Sequence, residues 1–517
     1  MAKIGDLMQK IVFSKNNWAK WFLSHMKASF WEKKGKQKAL FVFHKVAEVV
    51  PVYTKLLKER GIRPENIKTF EDFQKLFLLD KDNYIRKYNI NELCFGGEIS
   101  KMYTVATSSG STGVPSFWPR LPEQDLMLPK YFELLYLQNW DIDKKSTLFI
   151  ITMALGNWIA GELVSNITKI MAMKGKYQLT VATPGSDVEQ ISTIIKGLAS
   201  FFDQVIMVAY PSLVKSIIED GEKEGIDWKK LDLKLWLGGE GYSEEWRKYI
   251  LDKIGNREEK LNTLVGVYGT SDAGGIGFGS PLANLILKLI RKDKKLYKTL
   301  FGEIQTIPSL IQYNPLSYFI EEVNEELVIT YGGGVPLVRY NIHDKGKIFL
   351  YDDMLKILTN HGYNATDMLG KEGFGKEKIW QWPFLAIFGR GSNVISIIGA
   401  NVYPENIEAA LHTEATKDIN GFKLSVQTDK LGNTHFYILL EMKKDIVVSS
   451  VNKENLEKRY HDIFLEKLLK VNSDFKDAYE SNPMTAHPII KIYEFGHGPF
   501  SKKLETKQNF IHNETID

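Results

Sequence analysis

Short apolar runs alternate with longer amphipathic segments between residues 100 and 340. The runs have the length of buried strands, and the segments repeat apolar residues at the helical period. Strands that alternate with helices are typical of an α/β domain with a largely parallel sheet. The strands predicted from these runs are Leu148–Met153, Gln178–Ala182, Gln204–Val208, Lys234–Leu237 and Thr263–Val267, and the intervening helices include Asp187–Phe202 and Ser212–Gly225.

The pattern differs on either side of this region. Residues 1–95 are predicted to be mostly helical, with one helix over Lys38–Val50 that ends before Pro51. Glu326–Thr330 and Lys347–Tyr351 are predicted to be strands at the edge of a sheet, and Gly332–Asp344 between them is predicted to be a loop.

From about residue 389 onward the pattern indicates a compact α+β unit. Its predicted elements are the strands Val394–Ile398, Lys423–Gln427, Phe436–Met442 and Ile489–Tyr493, and the helices Pro404–Thr413 and Lys453–Val471. Gly389, Arg390 and Gly391 form a plausible hinge, because glycine permits unusual backbone angles. We therefore predict an α/β protein with a large N-terminal domain (1–388, with 1–95 as a helical lead-in) of layered, mostly parallel sheets and helices. A small, mobile C-terminal α+β domain (389–517) follows it.

Composition and charge exclude several classes of protein. The 517 residues are 44% hydrophobic and 25% charged, which is ordinary for a folded globular chain. The net charge of +4 arises from 67 basic and 63 acidic residues, a balance that does not favour nucleic acid as a partner. The single cysteine, Cys94, excludes an intrachain disulfide and a cysteine-based zinc cluster. Without a secretory signal or a long apolar run, the protein is expected to be cytoplasmic.

The N-terminal 40 residues carry nine lysines against Asp6 and Glu32. Apolar residues, among them Trp18, Phe22 and Phe30, recur between the lysines at roughly helical spacing. A basic amphipathic helix of this kind can lie on an anionic membrane surface. The alternative, which we favour, is a helix that packs its apolar stripe on its own domain.

A hydroxyl-rich and glycine-rich loop at Thr107–Ser116 is the strongest local signal for chemistry. Its hydroxyl residues and glycines can present several N–H and O–H donors to one anion, a geometry that suits a polyphosphate. The loop lacks the Gly-x-x-x-x-Gly-Lys-Ser/Thr pattern of a Walker A motif. A flexible surface turn is the structural alternative.

Four further segments could contribute to the same site. Gly238, Gly239 and Glu240 follow a predicted strand, where glycines let a ligand approach the backbone. Another strand ends in the segment from Tyr268 to Gly274, in which Tyr268 could stack on a base, the hydroxyls of Thr270 and Ser271 could meet phosphate and Asp272 could hold Mg²⁺. The other two are Pro336–Gly346, whose Asp344 could bind a diol, and Gly389–Glu408, in which Pro404 begins a helix.

The order of these five segments resembles the adenylate-forming superfamily of acyl-CoA synthetases, nonribosomal-peptide adenylation domains and luciferases. The phosphate loop of its phenylacetate-CoA ligase and coenzyme-F synthetase-like branch reads Ser-Ser-Gly-Thr/Ser-Thr-Gly-x-Pro-Thr/Ser, much as residues 108–116 do. The Gly-Gly-Glu, Tyr-Gly-x-Ser/Thr-Glu, Arg-Tyr-x-x-x-Asp and Gly-Arg motifs follow in the family order. The likeness covers residues 100–410 closely and the rest of the chain loosely.

The resemblance implies a role for each matching residue. Ser108, Ser109, Gly110, Ser111, Thr112 and Gly113 would hold the phosphates of ATP. Gly239, Glu240, Tyr268 and Gly269 would border the adenine, Thr270 and Ser271 would lie beside the nucleotide, and Asp344 would bind the ribose hydroxyls. Arg390 would lie near the ribose or phosphate, and Asp272 would replace the magnesium-associated glutamate. Thr112, Asp272 and Lys507 are the implied catalytic residues, with Lys502 and Lys503 as alternatives to Lys507.

The resemblance further implies an ATP-dependent and Mg²⁺-dependent carboxylic acid ligase. An acyl-adenylate would form first, and its acyl group would pass to a thiol, with coenzyme A as the default acceptor and Gly399 lining the thiol tunnel. An aryl or arylacetic acid is the default substrate, bound near Asn157, Trp158, Ile159 and 208–210. Two alternatives stay open: a ligase that uses an amine, a carrier protein or another cofactor as acceptor, and a catalytically degenerate nucleotide-binding relative. The departures from the branch pattern motivate the second: Asp272 in place of a glutamate, Ser392 and Asn393 in place of two aspartates, and Thr506 in place of a glycine.

Overall fold

The computed structural model describes most of the chain. The described residues are 16–107, 116–242, 244–256, 259–302, 307–390, 395–411, 414–429, 431–444, 446, 450–501 and 511–512.

The N-terminal lead-in is helical, as predicted. Its helices are α1 (Asn16–His25), α2 (Ala28–Val49), α3 (Pro51–Glu59), α4 (Phe70–Gln74) and α5 (Ile90–Leu93). Val50 is extended, which ends α2, and Pro51 then starts α3 at the position where its missing N–H costs nothing. Phe22 packs into the interior, whereas Trp18 is 59% exposed.

A large sheet of eleven strands forms the centre of the molecule. Two short strands, β1 (Thr104–Thr107) and β2 (Phe117–Arg120), pair with each other outside it. The strands of the large sheet are β3 (Thr147–Ile151), β4 (Leu179–Ala182), β5 (Gln204–Ala209), β6 (Leu233–Leu237), β7 (Leu264–Thr270), β8 (Gly274–Phe278), β9 (Ser309–Tyr313), β10 (Tyr318–Val323), β11 (Glu326–Tyr331), β12 (Leu337–Phe349) and β13 (Phe384–Arg390). Their order is β10-β11-β12-β13-β9-β8-β7-β6-β5-β3-β4.

Helices connect and cover these strands. They are α6 (Pro122–Leu126), α7 (Leu128–Trp140), α8 (Ile159–Met173), α9 (Val188–Leu198), α10 (Pro211–Lys223), α11 (Glu244–Lys253), α12 (Pro281–Ile290), α13 (Lys294–Phe301), α14 (Tyr351–Asn360) and α15 (Ala365–Lys371). The predicted α/β class is thereby confirmed. Strands β3 to β7 pair in parallel, and the strands from β7 to β13 pair antiparallel, so the parallel part occupies one half of the sheet.

The predicted loop Gly332–Asp344 is wrong in most of its length. Residues 337–349 form β12, which pairs with β11 and β13. The strand carries Asn341, His343 and Asp344 among its apolar residues, so no continuous apolar run marks it. Pairing on both sides, rather than hydrophobic pattern, holds it extended.

The C-terminal residues form a smaller α+β unit. Its elements are β14 (Ile395–Ile397), β15 (Ala400–Val402), α16 (Pro404–Leu411), β16 (Ile419–Thr428), β17 (Thr434–Met442), α17 (Ser450–Val471), α18 (Ser473–Ser481), α19 (Pro483–Ala486) and β18 (Pro488–Tyr493). β14 and β15 form a hairpin, and β16, β17 and β18 form a three-stranded sheet.

The C-terminal unit packs directly on the parallel half of the large sheet and its helices. One continuous apolar cluster includes Leu148 and Met207 of the large sheet, Leu213 of α10, and Ile397 and Leu440 of the C-terminal unit. The last strand of the large sheet ends at Arg390, and the domain boundary at residue 389 stays a prediction. Within the described ranges, no helix combines the length and the apolar content needed to cross a membrane.

Candidate functional site

Two tyrosine–aspartate hydrogen bonds join β7 and its following turn to β12. Tyr268 of β7 donates to Oδ2 of Asp344 over 2.5 Å, and Tyr340 of β12 donates to Oδ2 of Asp272 over 2.6 Å. Each segment therefore supplies one hydroxyl donor and one carboxylate acceptor. We call these four residues the strand-end cluster, because they gather where β7 ends.

The turn after β7 presents hydroxyls beside Asp272. Ser271 donates to Oδ1 of Asp272 over 3.3 Å, and the Thr270 hydroxyl accepts from the backbone N–H of Ala273 over 3.1 Å. A side chain at Gly269 would place a Cβ only 2.7 Å from the carbonyl oxygen of Gly274, so this turn requires glycine there. The turn is thus tight, and its oxygen atoms are held in place.

The backbone of Arg390 lies beside Asp344, because the two residues pair across β12 and β13. The resemblance implies that Asp344 binds the ribose and that Arg390 lies near the ribose or phosphate, and the sheet brings their backbones together. The side chain of Arg390 lies outside what the structure describes.

The hydroxyl-rich loop begins and ends next to the segment predicted to bind the acid. Residues 108–113, including the implied catalytic Thr112, lie outside the described residues, but Thr107 and Phe117 on either side of the loop are paired. The N–H of Thr107 donates to the carbonyl of Asn157 over 3.1 Å. The loop therefore starts against Asn157, and Trp158 and Ile159 follow along the chain.

The Gly-Gly-Glu segment contacts the β14–β15 turn of the C-terminal unit. Oε1 of Glu240 accepts from the N–H of Ser212 over 2.6 Å, and Oε2 accepts from the N–H of Gly399 over 3.4 Å. Burial raises the pKa of Glu240, and these donors act in the opposite direction. Ser396 also donates to the carbonyl of Gly239 over 3.4 Å.

Tyr210 fills the space between the two glycines. Both Gly239 and Gly399 have positive φ, and a Cβ on them would lie 2.7 Å and 2.3 Å from Cε1 of Tyr210. Burial and the charge of Glu240 raise the pKa of the Tyr210 phenol. We call Tyr210, Gly239, Glu240 and Gly399 the glycine junction.

The strand-end cluster and the glycine junction are neighbours. β6 and β7 pair in parallel, and a Cβ on Gly238 would lie 2.4 Å from Cγ1 of Val267. Tyr268 follows Val267 directly. The loops after β6 and β7 therefore open at one edge of the sheet, where ligands of parallel sheets commonly bind.

Two residues of the Arg-Tyr-x-x-x-Asp motif have contacts that the sequence did not predict. Tyr340 was not among the predicted site residues, although its place in the Arg-Tyr-x-x-x-Asp motif was a signal. Arg339 of that motif instead has a structural contact: its Nε donates to Glu321 over 3.1 Å, and its Nη1 donates to the carbonyls of Gln74 and Leu76. The predicted Lys507 and its alternatives Lys502 and Lys503 lie outside the described residues.

Oxygen donors around Asp272 suit a magnesium ion. Mg²⁺ prefers oxygen ligands and is commonly held by one or two carboxylates together with substrate phosphates. Asp272 supplies a carboxylate, with the hydroxyls of Thr270 and Ser271 close by in the chain. Within the described part of the chain, there is no group of three or more His, Cys, Asp or Glu side chains that could hold a metal.

The fold is shared with solved acyl-CoA ligase structures. A 2-hydroxyisobutyryl-CoA ligase in complex with 2-HIB-AMP and CoA in the thioesterification state superposes with a TM-score of 0.63 and 12% identity, covering 95% of this chain and 91% of that chain. Its postadenylation state gives 0.52 at 12% identity over 95% and 90%. An open conformation gives 0.53 at 12% identity over 95% and 93%.

The chain thus shares its overall fold with these solved acyl-CoA ligase structures. No family model matches the sequence. No curated protein matches it either.

Proposed function

We propose that this chain is an ATP-dependent carboxylic acid ligase that forms an acyl-adenylate and passes the acyl group to the thiol of coenzyme A. The observation that carries the proposal is the strand-end cluster: Asp272 and Asp344 come from distant segments and are oriented by tyrosines at one sheet edge. The adenylate-forming fold and the hydroxyl-rich loop that starts beside Asn157 support it.

In the first half-reaction, a carboxylate attacks the α-phosphorus of ATP and pyrophosphate leaves. Both reactants are anions, and two unit charges about 4 Å apart repel by roughly 4 kcal/mol at an effective dielectric of 20. The amides and hydroxyls of residues 108–113 and the ammonium group of Lys507 would offset this repulsion. Asp344 would orient the ribose. Mg²⁺ held at Asp272 would supply further positive charge at the phosphates.

In the second half-reaction, the thiol attacks the acyl carbon and AMP leaves. The glycine junction supports this step, because Gly399 meets Gly239 and Glu240 and leaves a side chain no room there. The higher TM-score with the thioesterification state than with the postadenylation state agrees with this arrangement. Rotation of residues 389–517 about the Gly389 region would exchange this arrangement for one that brings Lys507 to ATP.

The default substrate is an aryl or arylacetic acid, as in the phenylacetate-CoA ligase branch that the motifs resemble. The segments 157–159 and 208–210 would line its pocket. Val208 is buried and Tyr210 lies against both junction glycines, so a pocket at these segments would be apolar and aromatic on this side. Such a lining suits the body of an aromatic acid.

A pyrophosphate-release screen tests the proposal. The purified chain is incubated with ATP, Mg²⁺ and a library of carboxylic acids, and positive acids are then offered coenzyme A, amines or a carrier protein. We expect acid-dependent pyrophosphate and, by mass spectrometry, an acyl-CoA. An acyl-amine or acyl-carrier product would show that the acceptor is an amine or a carrier protein and not coenzyme A. Absence of pyrophosphate release with every acid would contradict ligase function and favour a degenerate nucleotide-binding relative.

A further inference from the structure

One carboxyl oxygen in the first turn of α18 is buried without a hydrogen-bond partner among the described residues. Asp474 is 6% exposed, and among the described residues its Oδ1 has no hydrogen-bond partner. Nearly all buried polar atoms in folded proteins have a partner, and an exception asks for an explanation such as a catalytic role. No role assigned so far involves Asp474.

Asp474 is fixed to the hairpin that carries Gly399. Asn472, two residues before Asp474, donates from its amide to the carbonyl of Asn401 over 2.8 Å and to Oδ1 of Asn406 over 3.0 Å. Asn401 belongs to β15, which begins immediately after Gly399. The first turn of α18 therefore keeps its position relative to the glycine junction.

The first turn of α18 packs against the large domain, because Phe475, next to Asp474, belongs to the same apolar cluster as Leu213 of α10 and Ile397 of β14. Asp474 raises the pKa of Tyr210, whose ring covers Gly239 and Gly399, and Lys81 of the lead-in acts on Asp474. Lys81 lies two residues after Leu79, which forms a bridge with Tyr340 of the strand-end cluster. Asp474 thus lies in the turn that packs between the C-terminal unit and the large domain, within electrostatic range of Tyr210 and Lys81.

Burial and the neighbouring charges bring the pKa of Asp474 close to neutral pH. Burial, and next the charge of Asp477 on the same helix, raise the pKa of Asp474 to about 7, while Lys81 acts to lower it. Tyr210, which directly precedes α10, is a titratable group of the large domain whose pKa Asp474 raises. A base with a pKa near the working pH is the most effective proton acceptor in catalysis.

Resting on the proposed ligase function, we propose that Asp474 is the proton acceptor for the acceptor nucleophile in the acyl-transfer half-reaction. The nucleophile is a thiol or an amine that carries a proton. Its sulfur or nitrogen bonds to the acyl carbon, the bond from that carbon to the phosphate oxygen breaks, and AMP leaves with the electron pair. The nucleophile's proton passes to the Asp474 carboxylate and then to solvent.

The test separates the two half-reactions. Acid-dependent pyrophosphate release measures adenylation, and the transfer rate is measured with supplied acyl-adenylate and acceptor between pH 5.5 and 8.5. We expect wild-type transfer to rise with pH through an inflection near 7. General-base catalysis contributes about 100-fold or more, so Asp474→Asn lowers transfer at pH 8 by about that factor and removes the inflection. Adenylation stays within about twofold.

Three further variants distinguish a proton acceptor from a structural residue. Asp474→Glu keeps a carboxyl and retains a pH-dependent rate. Asp477→Asn, the same change on an exposed neighbour of the same helix, keeps a fast transfer but moves the inflection to lower pH, because it removes a charge that raises the pKa of Asp474. Lys81→Met moves the inflection to higher pH, because it removes a cation that lowers this pKa.

The possible outcomes distinguish failure of the Asp474 role from failure of the proposed ligase function. Transfer by Asp474→Asn that matches wild type in rate and pH profile overturns the role of Asp474 and leaves the ligase proposal intact. An equal loss in both half-reactions marks Asp474 as structural and also overturns the role. If no acid yields pyrophosphate with wild-type protein, the proposed function fails first, and the role of Asp474 fails with it.

Discussion

The strand-end cluster and the glycine junction are neighbours that are assembled in different ways. All four residues of the cluster belong to the large domain, and each of its carboxylates has a tyrosine donor. The junction takes Gly399 from the C-terminal unit, and burial shifts the pKa of its Glu240. The strand-end cluster is therefore complete whatever the position of the C-terminal unit. The glycine junction exists only while that unit keeps Gly399 against Glu240. Changes in the two regions should consequently impair different half-reactions.

Lys507→Ala should give the largest effect and should impair only the first half-reaction. Removing an ammonium group that offsets the repulsion between ATP and the acid should slow adenylation by about 1,000-fold, within the range known for loss of one electrostatic stabiliser. Transfer from supplied acyl-adenylate should survive. Pyrophosphate release and transfer are measured separately, with Lys502→Ala and Lys503→Ala in parallel. Normal adenylation by Lys507→Ala would assign the role to one of these neighbours.

Gly399→Ala should give the converse result. A Cβ at this position would lie 2.3 Å from Cε1 of Tyr210, and φ is +76° there, so the β14–β15 turn cannot dock unchanged. We expect transfer to fall by about 100-fold, since misplacement of about 1 Å can cost this much, while adenylation is preserved. Gly61→Ala is the matched control, because Gly61 has φ +64° but no atom within 4 Å of the added Cβ. Equal losses in both half-reactions would contradict the separation of the two regions.

Much of the parallel half of the fold could be predicted because its strands are buried apolar runs. The run predicted as Gln204–Val208 is the strand Gln204–Ala209, and the run predicted as Lys234–Leu237 is the strand Leu233–Leu237. β8 gave no such signal, since it reads Gly-Gly-Ile-Gly-Phe. Its glycines serve close approach, because a Cβ on Gly277 would lie 2.2 Å from Ile311 of β9. Such a contact between strands distant in sequence leaves no local pattern.

The candidate site likewise has residues that a local sequence motif predicts and residues whose contacts depend on how distant segments pack. Asp272 and Asp344 could be predicted to lie in one site because they follow the family motif order, and the structure connects their segments through Tyr340 and Tyr268. The contact of Tyr210 with Gly399 could not be predicted, since it depends on how the C-terminal unit docks. The burial of Asp474 has the same origin, because helical periodicity does not identify what covers a helix.

Asp474→Asn should change stability in a way that depends on pH. The pKa of Asp474 is about 7 in the folded protein and about 3.9 in an unfolded chain. The native state therefore holds this proton longer, and the contribution of Asp474 to stability is lost as pH rises from about 4 through 7. The variant lacks this loss, so its gain in stability over wild type should grow across that range to the order of 4 kcal/mol at pH 8, since the two pKa values differ by about three units of roughly 1.4 kcal/mol each. Urea unfolding at pH 5 and pH 8 measures it, and Asp477→Asn should give a smaller gain of the same sign, because it lowers the pKa of Asp474. A gain that is the same at both pH values would contradict an ionised, buried Asp474.

The smallest expected effect concerns the orientation of Asp344. Tyr268→Phe removes the hydroxyl that donates to Oδ2 of Asp344 over 2.5 Å. A hydrogen bond to a charged group contributes about 1.5 kcal/mol or slightly more, but Asp344 stays in place through its strand pairing with β13. We therefore expect the KM for ATP in pyrophosphate release to rise by about fivefold to tenfold, with the rate of transfer from saturating supplied adenylate nearly unchanged. Tyr363→Phe is the control, because Tyr363 donates to Oδ2 of Asp293 over 3.1 Å outside both regions. If both variants raise the KM equally, the effect reflects general loosening; if neither does, the tyrosine does not orient the ribose ligand, and preorganisation of the strand-end cluster rests on the sheet alone.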